Sequence, residues 1–300
     1  MVARPGARSG RSRPSSRGRS RRWLPWLGAL PFLVYVAVFL LYPTLVVVAG
    51  AFVDDEGTLT LSNVRAAAGG PYLAAFVRSL QLSAITAVTG AVFGALLAWA
   101  VVTGRPDGAL RRVVTSASGV LAQFGGVTLA FAFLATVGFE GLVTVWLRDR
   151  GIDIFAGGAW IFELSGLALV YTYFQIPLMV IVFLPALDGL KPQWREAARS
   201  LGGTSWTYWR RVAGPVLAPA FLGSMLLLFA NAFSAYATAA ALVSQGAPIV
   251  PLQIRALQTS EVILGQQNLG RALGLGMVLV VTVVMALYAL LQRRTSRWLR

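Results

Sequence analysis

An all-α, polytopic membrane protein with six transmembrane helices is the fold class this sequence predicts, and three observations carry it. The chain of 300 residues is 57% hydrophobic and only 12% charged, about half the charged share of a soluble domain. Six apolar runs, at about 27–52, 79–102, 113–138, 165–187, 216–243 and 273–292, are long enough to cross a bilayer, which takes about 20 residues each. Their interiors carry no formal charge, and Asp188 stands at the edge of the fourth. Twenty of the 26 basic residues fall in the two ends and in the second-to-third and fourth-to-fifth connections, leaving six for the other side. These connections are short, so positive charge sets orientation: both termini and the charged central loop face the cytoplasm.

The elements follow in order. Residues 1–22 carry eight arginines among Ser, Pro and Gly; this composition predicts a disordered basic cytoplasmic tail that sets topology and touches anionic lipid. Ser20-Arg-Arg-Trp-Leu-Pro25 imitates a twin-arginine export signal and Ala49-Gly-Ala51 a cleavage site. The apolar run between them exceeds the 7–15 residues of a signal core, roughly, so it is expected to stay as the first span, kinked at Pro43 after Tyr42. The six-helix membrane body is expected over 23–295, with a short basic C-terminus at 296–300. An external loop runs from Asp54 to about Arg78. Gly90 and Gly94 in the second span have the GxxxG spacing of close helix packing. A tight turn follows at Gly104–Gly108. In the third span Gln123, Gly125 and Gly126 predict a bend. The long external loop 139–163 places Trp146 and Trp160 at the interface.

The segment 188–215 is the most informative. Asp188, Lys191, Arg195, Glu196, Arg199, Arg210 and Arg211 would together cost on the order of 20 kcal/mol at the bilayer centre, so the loop projects into water. Pro192 suits a helix start, Gly202-Gly203 a helix stop, and Thr204 or Ser205 a cap for a second short helix through Trp206 to Arg210. A helix–turn–helix hairpin is expected, with the fifth span following Pro215. Within the membrane, Tyr171 and Gln175 on the fourth span share a face, and Asn231, Ser234 and Thr238 on the fifth fall at i, i+3 and i+7, with Tyr236 beside them. With Gln123 these are the expected translocation-pathway residues; interhelical hydrogen bonding alone, at about 0.6 kcal/mol each, accounts for them equally well.

Glu196-Ala197-Ala198, Gly202, Val212 and Pro215 stand at a spacing that resembles the permease subunits of bacterial type I binding-protein-dependent ATP-binding-cassette importers. Gly214 stands where such permeases usually have leucine. The resemblance implies that this loop is the coupling helix docked on a separate cytoplasmic ATPase dimer, with Glu196, Ala197, Ala198, Gly202 and Pro215 as coupling residues. It also implies a second permease subunit, or a second copy of the chain, and an extracytoplasmic solute-binding protein, all at a bacterial inner membrane. Leu201 before the motif glycine departs from carbohydrate permeases and resembles those for polyamines, thiamine, iron or anions; Phe174–Met179 resembles the polyamine group most.

The remaining classes fare worse. The only lysine is Lys191 in Leu-Lys-Pro, so no Walker A loop exists; ATP is expected on the partner ATPase, and no cofactor or metal on this chain. No Cys and no His remove thiol chemistry, Cys/His metal sites and histidine acid–base catalysis, so an enzyme is not expected, and nucleic acid is not an expected partner. An ion-coupled secondary transporter is the alternative; it generally needs intramembrane carboxylates or broken helices around an ion.

Overall fold

The computed structural model describes residues 24–54, 56–105, 108–243, 249–259 and 266–296. The basic tail 1–22, the tip of the Gly104–Gly108 turn, and Arg297 and Arg300 lie outside them. The described residues are nearly all helical, with no strand and one isolated bridge between Val53 and Leu59. Six helical segments are long and apolar enough to cross a membrane: 28–50, 70–103, 126–148, 164–188, 205–234 and 267–293. The chain divides into two compact units between Val46 and Val47.

The first unit holds α1 (Leu24–Val36) and most of α2 (Tyr42–Gly50), joined by a π-helical turn over Ala37–Leu41. The Tyr42 N–H donates to the Ala37 carbonyl, five residues back. Proline has no N–H and its ring crowds the carbonyl four residues earlier. The expected disturbance at Pro43 therefore takes the form of a wide turn just upstream rather than a broken helix.

The second unit contains α3 (Ser62–Ala67), α4 (Gly70–Thr103), α5 (Ala109–Leu121), α6 (Gly126–Val137) and α7 (Leu142–Arg148). It continues with α8 (Leu164–Asp188), α9 (Pro192–Ser200), α10 (Ser205–Tyr208), α11 (Gly214–Ser234), α12 (Ala237–Leu242), α13 (Val250–Thr259) and α14 (Gln267–Ser296). Pro71 lies in the first turn of α4, where its missing N–H costs nothing. The second span therefore starts well before residue 79 and carries Arg78 on its exposed face.

The third span is corrected. Residues 109–121 form a separate amphipathic helix, because Arg111, Arg112, Thr115, Ser116 and Ser118 make them too polar for a continuous apolar span. The chain then turns through Ala122–Gly125, Gly126 takes a left-handed φ of +69°, and α6 starts anew. The expected bend is a full break, and the candidate span shifts to 126–148.

α8 is the most buried helix of the unit. Leu167, Val170, Tyr171, Gln175, Met179 and Val180 are fully enclosed. α4 lies along it, and the GxxxG pair explains how. A Cβ at Gly90 would stand 2.4 Å from Gln175 Cβ, and one at Gly94 would stand 2.5 Å from Met179 Cβ. In lipid, such close contact replaces the hydrophobic drive available in water. Thr89 and Thr172 hydroxyls add a bond at 3.0 Å across the same seam.

Candidate functional site

The hairpin expected within 188–215 is present, over 192–213, and local chemistry builds it. Pro192 occupies the first turn of α9. At the other end Gly202 adopts φ +76°. There the Gly203 N–H donates to the Ala198 carbonyl at 2.8 Å and the Gly202 N–H to the Arg199 carbonyl at 2.9 Å. These are the paired bonds of a Schellman stop, which favours glycine because a Cβ is strained there. Thr204 Oγ1 then accepts from the Thr207 N–H at 3.3 Å and caps the return arm.

The return arm is not a separate helix, as the sequence had suggested. α10 passes through a π-helical turn at Trp209–Ala213 straight into α11, giving one helical segment over 205–234. The Gly214 N–H donates five residues back to Trp209 O. A Cβ at residue 214 would stand 2.7 Å from that same oxygen. Glycine in place of the usual leucine is thus tied to the wide turn that accommodates Pro215.

Glu196 and Ala197 are exposed, Ala198 is half-buried, and Gly202 and Pro215 are exposed. The tip presents Leu201 at 88% exposure and Trp206 at 72%, an apolar pair beside charges on a surface that faces water. The root is anchored. Trp209 packs edge-on to Trp99 of α4 with ring centres 6.3 Å apart. Arg111 of α5 donates through both terminal nitrogens to the Asp188 carboxylate, at 3.1 and 2.5 Å.

The expected pathway residues separate into two groups. Tyr171 and Gln175 are fully buried. The Tyr171 hydroxyl donates to the Ala235 carbonyl at 2.6 Å and Gln175 Nε2 to the Leu228 carbonyl at 2.7 Å. Both side chains fasten the fifth span to α8; Gln175 Oε1 is left without a partner. Gln123, Asn231 and Ser234 are exposed, and Tyr236 is half-buried. Ser234 Oγ donates back to the Ala230 carbonyl at 2.9 Å.

The expectation that Asn231, Ser234 and Thr238 share one helical face is corrected. α11 ends at Ser234, Ala235 is extended with ψ 114°, and Thr238 is buried inside α12. The breaks in the third and fifth spans meet: a Cβ at Gly126 would stand 3.5 Å from Ala237 Cβ. Gly125-Gly126 signalled the first break; nothing in Ala232-Phe-Ser-Ala-Tyr-Ala237 signals the second. Sequence reasoning also missed Arg255 of α13, whose guanidinium donates to the Tyr236 hydroxyl and lies 5.7 Å from the ring centre. No cluster of three metal-ligating side chains occurs among the described residues. The arrangement offers neutral hydrogen-bonding groups, one guanidinium and a hairpin whose charges keep it out of lipid.

Residues 90–297 match the family model described as binding-protein-dependent transport system inner membrane component. The sulfate transport system permease protein CysT of Escherichia coli is 29% identical over 222 residues, covering 72% of this chain and 75% of that protein. The molybdenum transport system permease protein ModB of the same organism is 26% identical over 230 residues, covering 76% and 93%. Among solved structures, a bacterial ABC transporter that imports the acidic polysaccharide alginate aligns with a TM-score of 0.72 at 17% identity, over 92% of this chain and 96% of that one. At that identity the likeness establishes the fold.

Proposed function

Since this chain belongs to the family of binding-protein-dependent transport system inner membrane components, we propose that it carries a small oxyanion of the sulfate or molybdate kind across the inner membrane, driven by a separate ATPase docked on the 192–213 hairpin. The coarser part follows from membership: the chain is an inner-membrane, multi-pass permease subunit of an ATP-binding-cassette importer, a class without an ATPase site of its own. The substrate reading rests on relatives named for sulfate and molybdenum. It takes the anion branch of the group suggested by Leu201-Gly202 and leaves the polyamine branch, which none of the cited relatives carries. The absence of carboxylates from the described span interiors also disfavours a polycation as cargo.

The observation that supports a coupling role is the continuous helical join between hairpin and fifth span. Glu196, Ala197, Ala198 and Gly202 form the contact surface for the ATPase, and Glu196 pairs with one of its basic groups. Pro215 and the π turn set the angle at which α11 leaves the hairpin. ATP bound by the ATPase dimer moves the hairpin, and α11 moves with it. A second permease, or a second copy of this chain, completes the pathway, and an external binding protein delivers the solute.

The test uses cells carrying the native importer. ATP-dependent uptake of radiolabelled sulfate or molybdate is expected. Uptake that persists without ATP and collapses with the ion gradient would instead mark a secondary transporter, and uptake of spermidine alone would overturn the substrate. The chain has no cysteine, so Ala197→Cys provides a single reporter. It is expected to crosslink to the ATPase subunit; a label that stays fully water-accessible in the assembled complex would remove the docking role.

A further inference from the structure

The inner ends of the spans are rich in arginine, but the six basic residues assigned to the external side by charge asymmetry are Arg65, Arg78, Arg148, Arg150, Arg255 and Arg271. Three of these serve their own neighbourhoods. Arg148 donates to the Phe139 carbonyl at 2.7 Å and faces Glu140 at 3.6 Å. Arg150 lies 3.7 Å over the Trp146 ring and bonds that residue's carbonyl. Arg271 donates to Asn268 Oδ1 at 2.7 Å and lies against Gly50.

Arg255 is placed differently. It is exposed, forms no ion pair among the described residues, and reaches from α13 to the Tyr236 hydroxyl beside the broken end of α11. A guanidinium has five N–H donors, and the phenol engages it through one terminal nitrogen. Just before Tyr236 in sequence, on the last turns of α11, are the exposed Asn231 and Ser234. At the break the freed Ala235 carbonyl is taken by Tyr171, and Arg255 is bonded instead to the Tyr236 side chain.

A dianion entering a low-dielectric passage loses hydration that neutral amides and hydroxyls replace poorly. Of the described spans, α4 carries the exposed Arg78 and α14 the half-buried Arg271 near their external ends, and the remaining interiors supply no fixed cation. A cation at the entrance, held on an aromatic face and presenting a planar fork, recovers much of that loss and draws the anion in. We propose that Arg255, seated on Tyr236 at the break of the fifth span, is the cationic entry site of this permease and receives a tetrahedral oxyanion between the binding protein and the neutral path lined by Asn231 and Ser234. This rests on the oxyanion-importer reading above.

The experiment compares initial rates of radiolabelled sulfate and molybdate uptake in cells carrying the intact importer, with membrane levels of the chain matched by immunoblot. R255Q is expected to lose about tenfold or more in maximal rate, the scale of a lost charge-assisted hydrogen bond. R255K keeps the charge and is expected to recover much of it, and Y236F to fall less than R255Q, because the phenol orients the cation without carrying charge. Binding protein is expected to sediment with R255Q membranes as it does with wild type. R255Q transporting at the wild-type rate overturns the proposal while leaving the oxyanion reading intact. So does Y236F falling as far as R255Q without rescue by R255K, which marks a purely structural contact, or loss of binding-protein sedimentation, which marks a docking contact. If the wild-type chain carries neither anion, the oxyanion reading falls and this site falls with it.

Discussion

The fifth span is interrupted twice, once at each end, and the two interruptions are built in opposite ways. At 209–213 the helix widens into a π turn, yet every flanking residue stays right-handed helical: Tyr208 at φ −59°, ψ −50° and Gly214 at −58°, −56°. Hydrogen bonds shift by one residue and the rod continues from the Thr204 cap to Ser234. At 235 the rod ends. Ala235 is extended, its carbonyl leaves the ladder for the Tyr171 hydroxyl, and α12 packs against α6 instead. A π turn makes room for a proline while the helix continues through it, whereas a break ends the ladder and requires a side chain to satisfy what it exposes. The hairpin end thus stays continuous with the fifth span, and the far end is separated from it by the break; under the proposed coupling role, the first would carry displacement and the second would yield to it.

The strongest way to break this comparison is at the hairpin stop. Gly202→Asp puts a side chain on a φ of +76°, costing about 1–2 kcal/mol locally, and weakens both stop bonds. Uptake is expected to fall by about tenfold or more, with the chain still at wild-type level in the membrane and the spans intact by circular dichroism. Undiminished uptake would mean the hairpin is not the lever.

Next is Gly214→Leu, which restores the leucine usual in the resembled permeases. Its Cβ meets Trp209 O at 2.7 Å, an overpacking that costs about 1–3 kcal/mol. The π turn is expected to reorganise, and uptake per ATP hydrolysed to drop several-fold while ATP hydrolysis itself persists. Unchanged coupling would show that the wide turn carries no mechanical role.

Tyr171→Phe tests the far interruption. It leaves the Ala235 carbonyl unpaired, a loss of about 1 kcal/mol or somewhat more. Lower thermal stability is expected, together with faster hydrogen exchange around residues 235–238; identical exchange would show that water already serves that carbonyl. Asp188→Asn removes charge from the Arg111 pair at the hairpin's root. Both side chains are about one-third exposed, so the expected effect is only about 0.2–1 kcal/mol, read as a small shift in unfolding temperature.

The smallest effect belongs to Asp54, bonded only within its own turn. Its carboxylate accepts from Thr58 Oγ1, from the Thr58 N–H at 2.8 Å and from the Glu56 N–H at 3.0 Å. The Thr58 side-chain bond is the main cause holding its pKa below the ordinary carboxylate value. The turn is therefore fully stabilised above that ordinary value and loosens as pH falls through the lowered one. Amide exchange at Thr58 is expected to quicken only in that acid range, without altering uptake near neutral pH.

Legibility in the sequence followed the range of the forces involved. The hairpin was legible because Pro192, Gly202 and Thr204 each act on backbone within a few residues. The GxxxG seam was legible as spacing, but its partners Gln175 and Met179 were not, since nothing near Gly90 names them. The third-span break announced itself through two glycines. The fifth-span break did not, because Ala and Tyr are ordinary helix residues. It exists because Tyr171, sixty-four residues away, takes a carbonyl that a continuous helix would use, and because α6 offers α12 a packing surface. Arg255 was invisible for the same reason: its partner is nineteen residues distant and stands in the break between α11 and α12.

What the sequence determined by itself was that there are six apolar spans, which charged segment cannot enter lipid, and where the 188–215 hairpin turns. These are partitioning and short-range backbone preferences, settled by each segment's own composition. What only the tertiary structure decided was where the fifth span stops being a helix and that Tyr171 and Gln175 fasten it to α8. Inside the membrane a freed carbonyl has no water to turn to, so its position depends on which donor a neighbouring helix can bring to it.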